Sequence, residues 1–471
     1  MEHMQEQDVQ EQTYEQMTNS PLERLVITLA VPSVISLMVT AFYNLADTFF
    51  VGQLGTSATA GVGIAYPLMT LIQASGLMFG KGGGTRIAIL LGRRDVKSAE
   101  EIAVLGFASA FGVGAVLSVI GLIFLRPLTF LLGSTKSMAP YAMSYLLYIL
   151  IAMPFKASSV TLSSMLRFQG FFMRSMVGLS CGALLNVVLD PIFIFLLHLG
   201  VPGAAIATML SEMFSFCVLL YQFRRKGSIR ISRHNLRISA NLMGAIVRGG
   251  FPSLLKNGLS SFATVLLNTT AGVYGDAAVA AISIVARFVH VCQTMFFGIG
   301  ESCQSVCSFN FGAKRYERVL KCFWFCIRFG FILMLLISAV SFLAAPDIVA
   351  AFRRDDPDVI LIGTLALQLQ LFMLPLIPVP STAFVMLQGI GKNTRALLVG
   401  TGRQGMFLVP ILFIIPHFLG LTGLLLAQPI SDFLAFLQAA LLVKPILAEL
   451  KRLQIHTDSS VMPDQDISYP A

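Results

Sequence analysis

Residues 21–55 read PLERLVITLAVPSVISLMVTAFYNLADTFFVGQLG, and this stretch decides most of the fold. From Leu22 to Phe49 the chain is apolar for long enough to cross a bilayer as one helix. Asn19 or Ser20 is placed to cap that helix, and Pro21 suits its first turn. Pro32 then falls inside the helix, and Asp47 lies near its far end. The stretch returns 220 residues later, without a gap, as NLMGAIVRGGFPSLLKNGLSSFATVLLNTTAGVYG at 241–275. Pro32 matches Pro252, Ser33 matches Ser253, Phe42 matches Phe262, Gly52 matches Gly272 and Gly55 matches Gly275. The register continues through Gly80/Gly300 and Gly92/Gly312, and late in each half through Leu199-Gly200 and Leu419-Gly420, Gly203/Gly423, and Glu212 against Asp432. Gly and Pro report backbone geometry, so their coincidence marks duplicated structure rather than a shared apolar composition.

Working outward, apolar spans recur along the whole chain. Of its 471 residues 56% are hydrophobic and 12% charged, about half the charge of an ordinary soluble domain. A water-soluble enzyme is thereby excluded. Twelve helices are expected near residues 22–49, 57–80, 101–125, 140–164, 172–197, 203–223, 244–270, 278–300, 320–345, 359–387, 395–418 and 422–446. The expected fold is an all-α polytopic membrane protein of two pseudo-symmetric six-helix bundles, 21–223 and 244–447. A basic cytoplasmic linker at 224–243 joins them, with a disordered cytosolic tail at 1–20 and a second cytosolic tail at 448–471. The first tail is rich in Gln and Glu and lacks the apolar run of a signal peptide. Six spans is an even number, so both halves enter the membrane in the same direction, related by an axis along its normal. Two such bundles leave a central cleft able to open to either side, the architecture of a secondary transporter.

Alternate connections differ sharply in charge. One side holds seventeen Lys and Arg (Arg93, Arg94, Lys97, Arg167, Arg174, Arg224, Arg225, Lys226, Arg230, Arg233, Arg237, Lys314, Arg315, Arg318, Lys321, Lys392 and Arg395), the other four (Arg126, Lys136, Arg353 and Arg354). The positive-inside bias makes the first side cytoplasmic, with both termini cytosolic in a cell membrane. The net charge of +9 is therefore read as orientation and not as a nucleic-acid surface. Seven cysteines (Cys181, Cys217, Cys292, Cys303, Cys307, Cys322 and Cys326) with no Cys-x-x-Cys read as small buried residues.

Enzyme motifs find no context. Gly178-Leu179-Ser180-Cys181-Gly182 has the nucleophile-elbow pattern but lies inside a span, and Gly80-Lys81-Gly82-Gly83-Gly84-Thr85 lacks the spacing of a phosphate loop. The six histidines are scattered, so no catalytic metal or cofactor is expected. Ionisable residues inside spans are the functional candidates: Asp47, Lys156, Asp190, Glu212, Lys256, Arg287, Glu301 and Asp432. Asp190 lies roughly 10 Å from the outer end of span five, with Asn186 one turn below on the same face. Thr208 in span six is at similar depth, and Asp47 carries Tyr43 one turn inward. These side chains are expected to share one cavity in the outer half of the first bundle. Two carboxylates close together in a low dielectric resist joint ionisation, so the pair takes up a proton, or a Na⁺ held by Asp47, Asn186, Asp190 and Thr208. Glu212 and Asp432 occupy equivalent positions, read as packing or gating, and Lys256, Arg287 and Glu301 are read as a second-bundle polar network. Pro32 and Pro252 are expected to kink the first helix of each half.

These residues together resemble the multidrug and toxic compound extrusion (MATE) transporters, over roughly residues 20–450. The carriers are Pro32-Ser33 through Asn44-Leu45-Ala46-Asp47-Thr48 to Gly52-Gln53-Leu54-Gly55, Leu166-Arg167-Phe168-Gln169-Gly170, and Leu185-Asn186-Val187-Val188-Leu189-Asp190-Pro191. In the second half, Ser308-Phe309-Asn310-Phe311-Gly312-Ala313-Lys314 and Gln428-Pro429-Ile430-Ser431-Asp432 resemble the bacterial MepA-type branch. The resemblance implies a V-shaped pair of bundles exporting cationic or amphiphilic drugs in exchange for H⁺ or Na⁺. Its first-bundle acidic site maps onto Asp47, Asn186, Asp190 and Thr208, with Tyr43 and Pro32 nearby. The chain departs from some branches at Ser260 or Ser261, where they carry Glu, in having no Asp over 359–387, and at Ser163, where some have Asn. The expected function is ion-coupled export of small organic molecules by a monomer in the lipid bilayer, with no nucleic-acid partner. A lipid-linked oligosaccharide flippase of the same superfamily and a channel-like or structural membrane protein are the alternatives.

Overall fold

The computed structural model describes residues 2–136, 138–225, 227–229, 239–352 and 356–461, all helix, turn or irregular chain with no strand among them. The first half comprises α1 (Glu2–Asn19), α2 (Leu22–Gly52), α3 (Thr56–Gly63), α4 (Tyr66–Gly92), α5 (Val96–Ile123), α6 (Leu125–Leu131), α7 (Ala139–Phe168), α8 (Phe172–Pro191) and α9 (Val201–Phe223). The second comprises α10 (Ala240–Gly272), α11 (Asp276–Gly312), α12 (Tyr316–Leu343), α13 (Ala345–Phe352), α14 (Pro357–Met373), α15 (Pro378–Gly389), α16 (Asn393–Thr401) and α17 (Val409–Val461). Ten stretches are long and apolar enough to span a membrane. One of them, Asn393–Thr457, is broken where Gly420 turns the backbone at φ 57°, and α10 adds another helix of spanning length. Twelve spanning helices result among the described residues.

The duplication is written into the backbone. Gly55 and Gly275 have φ of 104° and 98°, and Gly200 and Gly420 have 58° and 57°. Arg94 and Lys314, also 220 apart, share the left-handed conformation at 61° and 58° although neither is glycine. The halves meet where α4 crosses α11. A Cβ on Gly92 would stand 2.2 Å from the carbonyl oxygen of Phe309, and a Cβ on Gly312 would stand 2.1 Å from that of Ile89. Ile89 and Phe309 are themselves repeat equivalents, so the contact is reciprocal about the pseudo-two-fold axis. Farther along, Gly82 packs on Ile246 and Gly250 of α10, Gly250 on Met78, and Gly298 on Val34 of α2. These close approaches lie toward the end carrying Arg93, Arg94, Lys314 and Arg315, here called the basic end. Toward the other end Gly52, Gly55, Gly272 and Gly275 have open space where a Cβ would point.

Three expectations are corrected. The run Gly80–Thr85 does not end a span: α4 and α11 continue to Gly92 and Gly312, twelve residues past the expected 80 and 300. Its glycines are packing surfaces, Gly80 against Ser164 and Gly84 against the Phe168 ring. The tail at 1–20 is not disordered, since Glu2–Asn19 forms α1 from good helix formers. Its buried Met17, the ring of Tyr14 on Phe309 at 5.7 Å, and Asn310 Nδ2 donating to the Met17 carbonyl at 3.0 Å dock it across the basic end. At the other terminus α17 carries helix through to Val461, fifteen residues past the expected end of the last span at 446. Arg230, Arg233 and Arg237 of the expected linker, with Lys226, Arg353 and Arg354, lie outside the described residues.

Candidate functional site

Inside the first bundle, α2, α7, α8 and α9 bring their polar side chains to one place. Asp190 is fully buried at the end of α8, and Asn186 is one turn before it. Asn186 Nδ2 donates to Asp190 Oδ1 and to Thr208 Oγ1 of α9, each at 3.3 Å. Asp47 on α2 lies with its carboxyl group within hydrogen-bonding reach of that of Asp190. Asp47 Oδ1, Asp190 Oδ2 and Asn186 Oδ1 are buried and receive no hydrogen bond from the described residues. Three buried acceptor oxygens in this polar cluster thus lack a donor. A shared proton or an oxygen-seeking cation satisfies that arrangement, and two bare carboxylates do not.

Beside it is a cavity of about 40 Å³ lined by Thr40, Tyr43, Lys156, Asn186, Thr208 and Glu212. Lys156 Nζ of α7 donates to Glu212 Oε1 of α9, a partly buried ion pair facing Tyr43. The structure thus brings Asp47, Asn186, Asp190, Thr208 and Tyr43 together. It adds two features that the sequence did not single out for this site: the Lys156–Glu212 pair, and buried Tyr145, which reaches Thr208 and neighbours both Asp47 and Asp190. Ser163 instead bonds Ser175 Oγ at 2.8 Å. Immediately after Asp190-Pro191 the helix widens into a π-helical stretch, Ile192–Leu196, a local irregularity common beside functional groups.

The second bundle is organised differently from the expected network. Arg287 is exposed. Lys256 lies over the rings of Phe384 and Phe297, 4.4 and 5.8 Å from their centroids. Glu301 turns to the other half, where Arg167 stands 3.4 Å away and Lys81 is also close. These three residues therefore form no common site. The buried charge of this bundle is Asp432, held by Arg403 Nε at 2.5 Å, by Gln428 Nε2 at 2.9 Å and by Gln370 Nε2. Arg403 also donates to Gln293 at 3.3 Å, and it sits in a second π-helical stretch, Gly402–Leu408. Arg403 was not among the sequence candidates. Its only sequence signal is that it is a cation within an apolar span. Pro32 and Pro252 are buried in helices that run on through them.

Two halves of six spanning helices, with buried charge inside each and contact between them at one end, define a multi-pass membrane transporter rather than an enzyme. The MatE family model matches residues 32–192 and 252–414, once in each half. The chain belongs to the MatE family. The multidrug export protein MepA of Staphylococcus haemolyticus (strain JCSC1435) is 26% identical over 424 residues, 88% of this chain and 93% of that protein. An outward-facing conformation of a multidrug resistance MATE family transporter superposes with a TM-score of 0.86 at 26% identity, covering 93% of this chain and 98% of the other. A MOP superfamily transporter from Pyrococcus furiosus, for which a reversed polarity of the binding pocket suggests a different function, gives 0.87 at 26% identity, covering 93% and 98%.

Proposed function

We propose that the protein exports small amphiphilic or cationic organic compounds across the cytoplasmic membrane in exchange for H⁺ or Na⁺, by alternating access between its two bundles. The observation that carries the reading is the pairing of half-buried Asp47 with buried Asp190, each with a buried oxygen that no donor of the described residues reaches. Loading and release of the exchanged cation changes the charge of the first bundle, and it shifts the cleft to the extent that the two states bind the cation with different affinities. With the basic end cytoplasmic, the close helix crossings seal the inner side, and the arrangement corresponds to a cleft open outward. Export is favoured over flipping of a lipid pyrophosphate because the uncompensated side chains of the first bundle are the carboxylates Asp47 and Asp190, while its cation Lys156 is already engaged by Glu212.

The test is movement of a fluorescent organic cation in proteoliposomes under a pH gradient and a Na⁺ gradient imposed separately. One of the two gradients is expected to drive transport. Movement driven by neither overturns antiport, and current without counter-transport establishes a channel.

A further inference from the structure

Four of the seven cysteines converge in the second bundle. Cys303 and Cys307 are one turn apart on α11, and Cys322 and Cys326 are one turn apart on α12. All four are completely buried. The sulfurs of Cys303 and Cys307 are 3.8 Å apart, as are those of Cys303 and Cys322, and those of Cys303, Cys322 and Cys326 all lie within 4.8 Å of one another. A tetrahedral thiolate site with metal–sulfur bonds of about 2.3 Å has sulfur–sulfur edges of about 3.8 Å. A disulfide would need the sulfurs at about 2.05 Å, far closer than any pair here. Two edges made by Cys303 are thus already at coordination length, and Cys307, which touches Cys303 but lies outside the three-sulfur group, has only to draw in toward Cys322 and Cys326 to complete the tetrahedron.

We propose that Cys303, Cys307, Cys322 and Cys326 form a closed structural site for one thiophilic metal ion, Zn²⁺ or Cu⁺, clamping α11 to α12. Soft sulfur donors with no carboxylate or imidazole among them select these ions over the harder Na⁺, Mg²⁺ or Ca²⁺. Each thiol that ligates gives its proton to solvent, so the bound site carries negative charge inside an apolar core. Arg318 lies one turn before Cys322 on α12, and its Nε is buried with no acceptor among the described residues. A ligated thiolate is the acceptor that this N–H lacks, and the guanidinium offsets the charge, as outer partners of metal ligands do. With four protein ligands and no open coordination position, the ion is held and not transported. The site is separate from Asp47 and Asp190, so its fate is independent of the coupling proposal.

The experiment uses the full chain purified in detergent under a non-thiol reductant, incubated with Zn²⁺ or with Cu⁺ in separate arms, desalted and measured by elemental analysis. Co²⁺ replaces Zn²⁺ as a spectroscopic probe in a third arm. About one ion per chain is expected in one metal arm, with a sulfur-to-Co²⁺ charge-transfer band where Zn²⁺ is the occupant. Cys303→Ser with Cys322→Ser should lose the ion, while Cys181→Ser with Cys217→Ser, outside the cluster, should keep it. Retention of metal by the first double variant overturns the proposal. So does a wild-type chain that retains neither ion, a result that stands even where the cluster variants fold poorly. Mass spectrometry showing a Cys303–Cys322 disulfide in place of metal uptake also overturns it.

Discussion

Asp190 and Asp432 are both buried acids, yet their surroundings ask opposite things of them. Asp432 is saturated by Arg403, Gln370 and Gln428, whereas Asp190 keeps one oxygen without a donor. Asp190→Asn preserves volume and removes titration, so well-expressed, folded protein should lose gradient-driven efflux to background, and Asp47→Asn should act alike. Normal transport by the Asp190→Asn variant would sink the coupling assignment. Asp432→Asn should instead act on stability: leaving the partly buried Arg403 without its counter-charge costs about 3 kcal/mol, read as a fall in melting temperature of the detergent-solubilised protein. Lys156 and Glu212 form the matching pair of the first bundle. Lys156→Met and Glu212→Gln should each destabilise by about 3 kcal/mol, and the double variant by much less than their sum. Additive losses would show that the two side chains do not interact. The first-bundle site was legible in the sequence because Tyr43/Asp47 and Asn186/Asp190 are each one helical turn apart and depth could be counted from the span ends. Arg403, Gln370 and Tyr145 were not, because sequence spacing cannot say which faces of different helices meet. Glu301 was placed in the wrong partnership for the same reason, its cations belonging to the opposite half.

At the scale of the elements, the repeat fixed the number and direction of the spans, and the errors gathered where glycine was read as punctuation. In α4 glycine is instead a contact surface, which only the neighbouring helix reveals. Gly250→Ala would place a methyl 1.8 Å from the Met78 carbonyl oxygen, and Gly92→Ala one 2.2 Å from that of Phe309. Backbone cannot yield as a side chain does, so both variants should part the halves at the basic end. Accessibility of Thr85→Cys, in the cavity of about 160 Å³ between α4 and α10 at that end, should rise several-fold when probed by a water-soluble thiol reagent. Unchanged labelling would mean that the crossing tolerates the extra methyl. The charge of the acids is duplicated but not that of their partners. Glu212 takes its cation from the fourth span of its half, Lys156 on α7, while Asp432 takes its own from the fifth, Arg403. The halves have kept the acid position and solved its neutralisation twice. Gln388 on α15 is a further tie of the second half, receiving Ser253 Oγ at 3.1 Å and Gln304 Nε2 at 2.9 Å and donating to the Gly249 carbonyl at 2.8 Å.

On the scale of the whole molecule, α1 straps both halves together. Glu11 pairs with Arg94 at 2.6 Å and Tyr14 lies under the same guanidinium, while the carbonyls of Thr18 and Ser20 accept from Arg315 at 3.1 Å and Arg318 at 2.8 Å. Deleting residues 1–19 removes most of these bridges, so the deleted protein should label at Thr85→Cys faster than the full chain. Equal rates would reduce α1 to a passive cover. Composition could not announce this helix, because its weight lies in docking and not in its own hydrophobicity.

In the proposed alternating access, the reciprocal crossing at Gly92 and Gly312 would serve as a fulcrum. The 27-residue α4 is a rod of about 40 Å from that point, and the 37-residue α11 one of about 55 Å. A rotation of roughly 10° at the crossing sweeps the distant tip of the shorter rod through about 7 Å, a displacement comparable to the thickness of a flat organic molecule with its contacts. The glycines, by letting two backbones touch, shorten the pivot arm and lengthen the working arm. The throw of such a stroke would then be geared by residues that have no side chain at all.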